Sequence, residues 1–258
     1  MKILVCVKQV PDMASSVTIN AEGVWYVDEG LAFRLNEYDE YAVEEAVQLK
    51  EQLGGEPDLT ILSIGPGRVK EAMRRAMAMG ADRGVHIVDD EYYKKDSHQI
   101  ASMIADFAKD KDFDLVFTGM QSQDRGSGQV GPAIAEQLDY ACVTTLVGFE
   151  YEDGKITATR ELEGGLHAKV KLAAPAVVTC QLGMNTPRYP TLPNIMKVKK
   201  KELLEFSPDD FASGDALVVT ESMYVPEKKG AGLVLEGDAG EVAGKLLDVL
   251  KEKTSIVK

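Results

Sequence analysis

The sequence of 258 residues contains few cysteines and no long apolar run. Cys6, Cys142 and Cys180 lie far apart, form no Cys-x-x-Cys pair and are flanked by small or β-branched residues. We therefore predict buried strand thiols rather than a disulfide framework or a metal site. No apolar stretch approaches the ~20 residues of a membrane helix, so a membrane-inserted protein is not expected. The N-terminus lacks the cationic and apolar segments of a secretory signal, and we expect a protein of the reducing cytoplasm.

Basic residues are also scarce. The chain has 29 Lys and Arg against 42 Asp and Glu, which gives a formal net charge of −13. A surface of this charge lacks the excess of Lys and Arg that binding to the phosphate backbone of a nucleic acid requires. The composition therefore argues against a nucleic-acid partner and favours small molecules or proteins.

The histidines and acidic pairs offer no pattern for catalysis. His86 lies in an apolar run, His98 lies near a predicted helix start, and His167 stands apart from both. None of them has metal-ligand spacing or a nucleophile beside it. Glu44 and Glu45 fall on a predicted helix, where exposure to solvent explains them better than acid–base chemistry. The sequence predicts neither a catalytic residue nor a metal site.

The chain does contain a regular alternation of short apolar runs and helical patterns. The nearly continuous run 2–8 indicates a strand that is covered on both faces. A helix is predicted to begin at Asn36, a favourable N-cap, and to end near Leu53. This alternation predicts an α/β fold with a mainly parallel sheet and helices on both faces, whose ligands bind at the carboxyl ends of the strands. The further predicted strands are 58–64, 84–89 and 114–119, and the further helices are 68–79 and one capped by Ser97.

Two other parts of the chain differ from this alternation. Residues 17–20 and 24–27 flank a turn and indicate a hairpin-like excursion. Two alternating runs surround Asp153-Gly154, which predicts an antiparallel extension of the sheet within 143–180. We predict a nucleotide-binding domain over 1–205.

Residues 206–258 are predicted to form a C-terminal arm. This part is polar and rich in turn residues, and only 239–251 has helical spacing. A short helix with one apolar face needs a surface to dock on. The arm docks on a partner or packs on its own core, and the composition favours neither.

Glycine-rich turns supply two candidate phosphate sites. Gly65-Pro66-Gly67 joins a strand to a helix but has neither Gly-x-Gly-x-x-Gly nor a P-loop ending, so a plain tight turn is favoured. The stronger candidate is the loop within 119–138, which runs from a strand into a helix. Its glycines permit close backbone approach, its Ser and Gln offer neutral donors, and Arg125 adds one positive charge. A helix N-terminus of this kind is typical of an adenine nucleotide phosphate site, although a surface loop without a ligand has the same composition.

The segment 185–201 is a candidate contact for a partner protein. Pro187, Pro190 and Pro193 stiffen an extended stretch and reduce the entropy lost on docking. Leu192 is placed to be an anchor, and a run of lysines follows it. The alternatives are a core leucine and a solvated basic face.

Six segments together resemble the β subunits of electron transfer flavoproteins. The resemblance covers about 1–201, and RELEGGL, PAVVT and PRYPTLPNIMK are its most specific motifs. It implies a Rossmann-like domain paired in a heterodimer with an α subunit that holds most of the redox FAD, near the interface. It also implies AMP, or a second FAD in electron-bifurcating members, at the strand ends of this chain. The segments are VCVKQVPD, NEYDEYAVEEAVQLKE, AMAMGADRGVHI, the loop at 119–132, RELEGGLHAKVKLAAPAVVT and NTPRYPTLPNIMKVKKK.

The family's binding residues carry over onto matching positions of this chain. The proline-rich segment corresponds to the loop that recognises the partner dehydrogenase, with Leu192 as its anchor and Pro193, Ile195 and Met196 beside it. The implied nucleotide-binding residues are Cys6, Asn36, Ile64, Asp124, Arg125, Gly126, Ser127, Gly128, Gln129, Val130 and Gly131.

The implied function is electron transport without substrate chemistry of its own. Electrons pass from an acyl-CoA dehydrogenase-type flavoenzyme of fatty acid β-oxidation to a membrane quinone reductase or similar acceptor. VKQVPDM and SGQVGP are closer to bifurcating members, which use NADH, and Met13 replaces a tyrosine of mitochondrial-type members. The Arg-Gly-Ser of the loop and TLPNIM depart from the bifurcating pattern. A free-standing nucleotide sensor of the universal-stress type and an adenylating hydrolase are the remaining alternatives.

Overall fold

Nine strands form one sheet in the computed structural model, which describes residues 1–152, 154–226, 230 and 232–255. Their order is β11-β5-β4-β1-β6-β10-β7-β8-β9, and all neighbours from β11 to β7 are parallel. The predicted first strand is therefore central. The strands are β1 (Lys2–Cys6), β4 (Asp58–Gly65), β5 (Arg83–Val88), β6 (Leu115–Gly119), β7 (Ala141–Glu152), β8 (Lys155–Glu161), β9 (His167–Ala173), β10 (Ala176–Cys180) and β11 (Leu203–Phe206). The short strands β2 (Gln9–Pro11) and β3 (Phe33–Leu35) form a separate antiparallel pair.

Helices cover both faces of the parallel part of the sheet. Ile3 and Val5 of β1 belong to an apolar cluster that includes residues of the first two helices, while Leu4, which points to the opposite face, is equally buried. The third and fourth helices pack against each other on that second face. The predicted α/β fold is confirmed. The helices are α1 (Glu37–Gln52), α2 (Lys70–Met79), α3 (Ser97–Ala108), α4 (Val130–Leu138), α5 (Leu192–Val198) and α6 (Ala239–Lys253).

Strands β7, β8 and β9 are antiparallel and form the predicted extension. Asp153, in the predicted turn between β7 and β8, lies outside the described residues. The chain then returns as β10, which is inserted between β6 and β7 and is parallel to both. β9 is an edge strand with exposed Lys169 and Lys171, charges of the kind that discourage pairing with another sheet.

Two local predictions are wrong. Ser97 is the first residue of α3, and the cap is Asp96, whose carboxylate accepts from the Gln99 amide at 2.8 Å in a capping box. Cys142 is exposed on β7, whereas Cys6 and Cys180 are buried as predicted. Alternation along β7 places Cys142 on the face opposite to the buried Val143.

The chain forms two compact units, Met1–Ser222 and Met223–Lys258. Within the first, Asp96 also accepts from the amides of Leu217 and Val218, at 2.7 and 2.9 Å. Within the second, Asp238 caps α6 by accepting from the Glu241 amide at 2.9 Å. The domain boundary at 205/206, between the nucleotide-binding domain and the C-terminal arm, stays a prediction.

No helix in the described part of the chain is long and apolar enough to cross a membrane.

Candidate functional site

A cleft opens at the carboxyl ends of β1, β4 and β6, with about 840 Å³ of empty volume including its part open to solvent. The chain leaves β1 toward β4 and β5 and later returns to β6 on the other side, so this is the switch point where such sheets bind ligands. Asp124 and Gly126, both predicted site residues, are not among its lining residues. The predicted residues that do line it are Cys6, Asn36, Ile64, Arg125, Ser127, Gly128, Gln129, Val130 and Gly131.

Asn36 holds the loop that follows β6 instead of capping its own helix. It occupies the N-cap position of α1, but its side chain makes no capping hydrogen bond. Its amide donates to the carbonyl of Gln121 at 2.9 Å, and its oxygen accepts from the Gln123 amide at 3.0 Å. The start of α1 is thereby joined to the loop that follows β6.

Asp39, one turn further along α1, joins the ends of two strands. Its carboxylate accepts from the amide of Lys8 at 2.7 Å and from the amide of Gly119 at 3.1 Å. Burial raises the pKa of Asp39 to about 7, although these hydrogen bonds act in the opposite direction. A glycine is required at 119, because a Cβ there would overlap the Asp39 side chain.

Lys8, which lines the cleft, forms an ion pair with Asp124. Lys8 Nζ lies 2.6 Å from Asp124 Oδ2, and the Asp124 side chain is only 5% exposed. Burial lowers the pKa of Lys8, and Asp124 opposes that effect. Asp124 thus anchors the loop. The Cys6 thiol is an apolar wall of the cleft, because burial raises its pKa and keeps it neutral.

The N-terminus of α4 faces the cleft without a side-chain cap, so the backbone amides of Val130 and Gly131 remain available, whereas Pro132 has no N–H and the Ala133 amide donates to Gln129. Gly131 lets this helix approach the sheet: a Cβ would lie 2.5 Å from Thr179 Cγ2 and 2.8 Å from Thr118 Oγ1. Gly128 has φ +62°, a left-handed conformation that favours glycine. Together these features form a cradle for an anion.

A second surface lies on α5 and presents the predicted partner residues. Leu192 is 77% exposed and Met196 is 71% exposed, with Pro193 and Ile195 also exposed. Leu192 is therefore not a core leucine in this chain. The prediction of an extended stretch is wrong at this position, because Leu192 begins the helix and Thr191 caps it.

The segment that leads to α5 is held by buried acids of α1. Arg188 donates to Glu44 from Nε and Nη2, both at 2.9 Å, and its Nη1 donates to Glu51 at 2.5 Å. Asn185 donates to Glu45 at 2.9 Å. Solvation of Glu44 and Glu45 was the wrong interpretation, since both are buried and serve to hold this segment.

Sequence reasoning missed Lys8, Asp39 and the partners of Arg188. Lys8 and Asp39 stand within motifs of the resemblance, which gave no role to either. The acidic pair Glu44 and Glu45, placed on the apolar side of an amphipathic helix, was the available signal for a buried basic partner.

Comparison with known proteins identifies the family. A family model described as electron transfer flavoprotein domain matches residues 24–211. The chain belongs to the electron transfer flavoprotein family. It is 37% identical to the electron transfer flavoprotein subunit beta of Bacillus subtilis (strain 168), with both chains covered completely. It is 36% identical to the human subunit beta, over 92% of this chain and 93% of that one, and 32% identical to the subunit beta of Syntrophomonas wolfei, over 99% and 98%.

These matches confirm the resemblance and the role of an electron transfer flavoprotein β subunit. Subunits beta from organisms as different as Bacillus subtilis, Syntrophomonas wolfei and human match at similar identity, so the comparison does not divide ordinary from bifurcating types. Membership of an electron transfer flavoprotein family favours the electron-carrier hypothesis over a free-standing sensor or hydrolase.

Proposed function

We propose that this chain pairs with an α subunit in a heterodimer that carries electrons from acyl-CoA dehydrogenase-type flavoenzymes of fatty acid β-oxidation to a membrane quinone reductase or similar acceptor. The observation that carries the proposal is the exposed apolar surface of α5, held in place by Arg188 and buried acids of α1. The redox chemistry comes from FAD held mostly by the α subunit, near the interface. This chain's own residues bind the nucleotide, position the segment before α5, and present the exposed side chains of α5 to the partner.

We further propose that the cleft holds AMP as a structural nucleotide. The fit is supported by the α4 N-terminus, which has no side-chain cap, and by Gly131, whose lack of a side chain lets α4 approach the sheet beside the cleft. Backbone amides of the loop 127–131 would bind the phosphate, and Cys6 and Ile64 would contact the apolar part of the nucleotide. All three cysteines are unpaired thiols, which supports a reducing cytoplasmic location.

The test is a count of bound nucleotides. The heterodimer, purified yellow from cells that co-express both subunits, is extracted with acid, and its FAD and AMP are quantified. One FAD and one AMP per heterodimer are expected. Two FAD and no AMP, with reduction by NADH, would instead favour the bifurcating type. A colourless chain that is stable without a second subunit would contradict the carrier function.

Replacing Gly128 by valine should reduce nucleotide retention more than replacing Arg125 by alanine. Valine is strained at φ +62° and displaces the loop backbone that faces the phosphate, whereas alanine at 125 removes one partly exposed charge. AMP per heterodimer after gel filtration measures the effect. Gly164→Val is the matched control, because Gly164 has φ +72° and open space in the β8–β9 connection. Equal AMP retention in Gly128→Val and wild type would rule out the backbone site.

Deleting the chain from Val242 onward should lower the yield of heterodimer and leave the sheet domain folded. The deletion removes most of α6, including Leu246 and Leu247, which are 47% and 45% exposed. We propose that this apolar side docks on the α subunit. Circular dichroism and co-purification yield are the measurements, and full-length Leu246→Ser/Leu247→Ser should show the same loss. A truncated chain that aggregates alone but pairs normally would place the arm on its own core.

A further inference from the structure

A group of aromatic side chains lies beside the nucleotide cleft, and we call it the aromatic flap: Trp25 and Tyr26 of the excursion, with Tyr92 and Tyr93. Trp25 stacks on Tyr26 with ring centroids 4.5 Å apart and on Tyr93 at 5.9 Å. Tyr92 meets Trp25 edge to face at 6.1 Å and lines the cleft. Main-chain hydrogen bonds join Asn20 to Trp25 and Val27 to Thr18 around the Ile19–Tyr26 bridge, whereas the Trp25 ring contacts Tyr92 and Tyr93 through side chains.

One side of the flap is fixed to β2. Arg68 donates to Gln9 Oε1 at 2.5 Å and to the Tyr92 hydroxyl at 3.2 Å, and it pairs with Asp28 at 2.9 Å. The guanidinium also lies 3.7 Å from the centroid of the Phe33 ring. Arg68, Gln9, Asp28 and Phe33 are not among the residues that line the cleft, so this side of the flap is held from outside the cleft.

Arg125 holds the other side of the aromatic flap. It donates to the main-chain carbonyls of Tyr93 and of Lys95, the latter at 2.7 Å. Its guanidinium carbon lies 4.8 Å from the centroid of the Trp25 ring. Within the described chain Arg125 has no carboxylate partner, because Asp124 pairs with Lys8 and Asp89 pairs with Lys95. Its charge is therefore balanced only by carbonyls and a ring face, while the residue lines the cleft.

We propose that Arg125 is a positioning residue that links the occupant of the cleft to the aromatic flap, an inference that rests on the proposed nucleotide site. An anion at the α4 N-terminus attracts the unneutralised guanidinium. The guanidinium is bound to the carbonyls of Tyr93 and Lys95 and lies on Trp25. A movement of Arg125 toward the anion therefore moves the flap with it. Arginine is needed for this role, because its planar fork donates to two carbonyls and packs on an indole at once, which an ammonium group does not.

The proposal is tested by the fluorescence of Trp25, the only tryptophan of the chain. The full-length chain is titrated with AMP and, separately, with inorganic phosphate, while calorimetry gives Kd for the same samples. AMP should change the Trp25 emission of the wild type. In Arg125→Ala the Kd for AMP should rise about two- to fivefold, as for loss of one partly exposed charge, and the Trp25 response should be lost. Arg125→Lys should restore affinity but not the response, and Arg83→Ala, which removes a remote surface arginine, should behave as wild type.

Each result of these titrations either supports or overturns the proposal. A full Trp25 response in Arg125→Ala would overturn the link, and so would AMP binding to the wild type without any Trp25 response. Restoration of the response in Arg125→Lys would show that charge alone acts and would also overturn the proposed role. Failure of the wild type to bind AMP in calorimetry would count against the nucleotide site itself, and this outcome is distinct because it is measured without tryptophan.

Discussion

Replacing Arg188 by alanine should lower the free energy of unfolding by about 3 kcal/mol, since a buried carboxylate would lose its partner. The Glu44 side chain is 3% exposed and receives two side-chain hydrogen bonds from Arg188 at 2.9 Å. Glu44 also accepts a hydrogen bond from the backbone amide of Arg188 at 3.0 Å, and an alanine at position 188 would retain this bond. The lower end of the range for buried pairs applies because Arg188 is itself 32% exposed. Urea denaturation of the heterodimer and of the chain alone measures the loss.

The pH dependence gives this prediction a second test. Burial alone would raise the pKa of Glu44, but the hydrogen bonds from Arg188 and Gln48 and the charge of Arg188 hold it below its ordinary value. A lowered folded-state pKa contributes stability above the unfolded value of 4.5 that is lost as pH falls. The difference between wild type and Arg188→Ala should therefore shrink below about pH 4.5. Glu51→Gln, at the 60% exposed outer partner, is the control and should cost less than about 1 kcal/mol. A loss as large for Glu51→Gln as for Arg188→Ala would contradict the buried-charge explanation.

The parallel sheet was predictable because its signal is local. Runs such as 2–8 and 58–64 are apolar on both faces, and each is followed by a helical pattern. The resulting strands begin within a residue of the predicted limits. The position of β10 between β6 and β7 was not predictable in this way, since the choice of neighbours depends on contacts between distant parts of the chain.

The site could be predicted as a backbone feature but not as a set of side-chain contacts. Glycines at 126, 128 and 131 identify the loop, and the cleft lies there. The role of Asn36 could not be inferred, because an asparagine before an acidic helical turn favours capping, whereas tertiary contacts with Gln121 and Gln123 replace that cap. Asp96 displaced Ser97 as a cap for a related reason: it satisfies the α3 amide and the Leu217 and Val218 amides together.

Helix α1 supports both candidate sites. Its start holds the end of β6 and the loop that follows through Asn36 and Asp39, and its later turns hold Arg188, before α5, through Glu44 and Glu51. One helix therefore positions both the loop that follows β6 and the segment that leads to α5. A change at one end of α1 is expected to act on the other only through the stability of the helix as a whole.

Replacing Leu192 by alanine should weaken docking of the dehydrogenase by ~2 kcal/mol, roughly thirtyfold in affinity, because a leucine anchor that fills a pocket is a hot spot. Leu192 is 77% exposed in this chain, so its truncation leaves no cavity and the melting temperature should stay unchanged. The helix itself should persist, since Thr191 caps it and alanine favours helix. FAD content should also be unchanged. The measurement is the rate at which a substrate-reduced acyl-CoA dehydrogenase reduces the flavin of the heterodimer, taken at dehydrogenase concentrations below Kd.

Two controls separate anchoring from general loss of apolar surface. Leu192→Met keeps an apolar side chain of similar volume and should retain most of the rate, since such exchanges cost less than about 1.5 kcal/mol. Leu166→Ala removes another exposed leucine, 65% exposed between β8 and β9, and should leave the rate unchanged because it lies outside the α5 surface. A normal rate in Leu192→Ala would refute the anchor, whatever its melting temperature. An equal loss of rate in Leu192→Ala and Leu166→Ala would show that docking of the dehydrogenase depends on the total exposed apolar area rather than on α5.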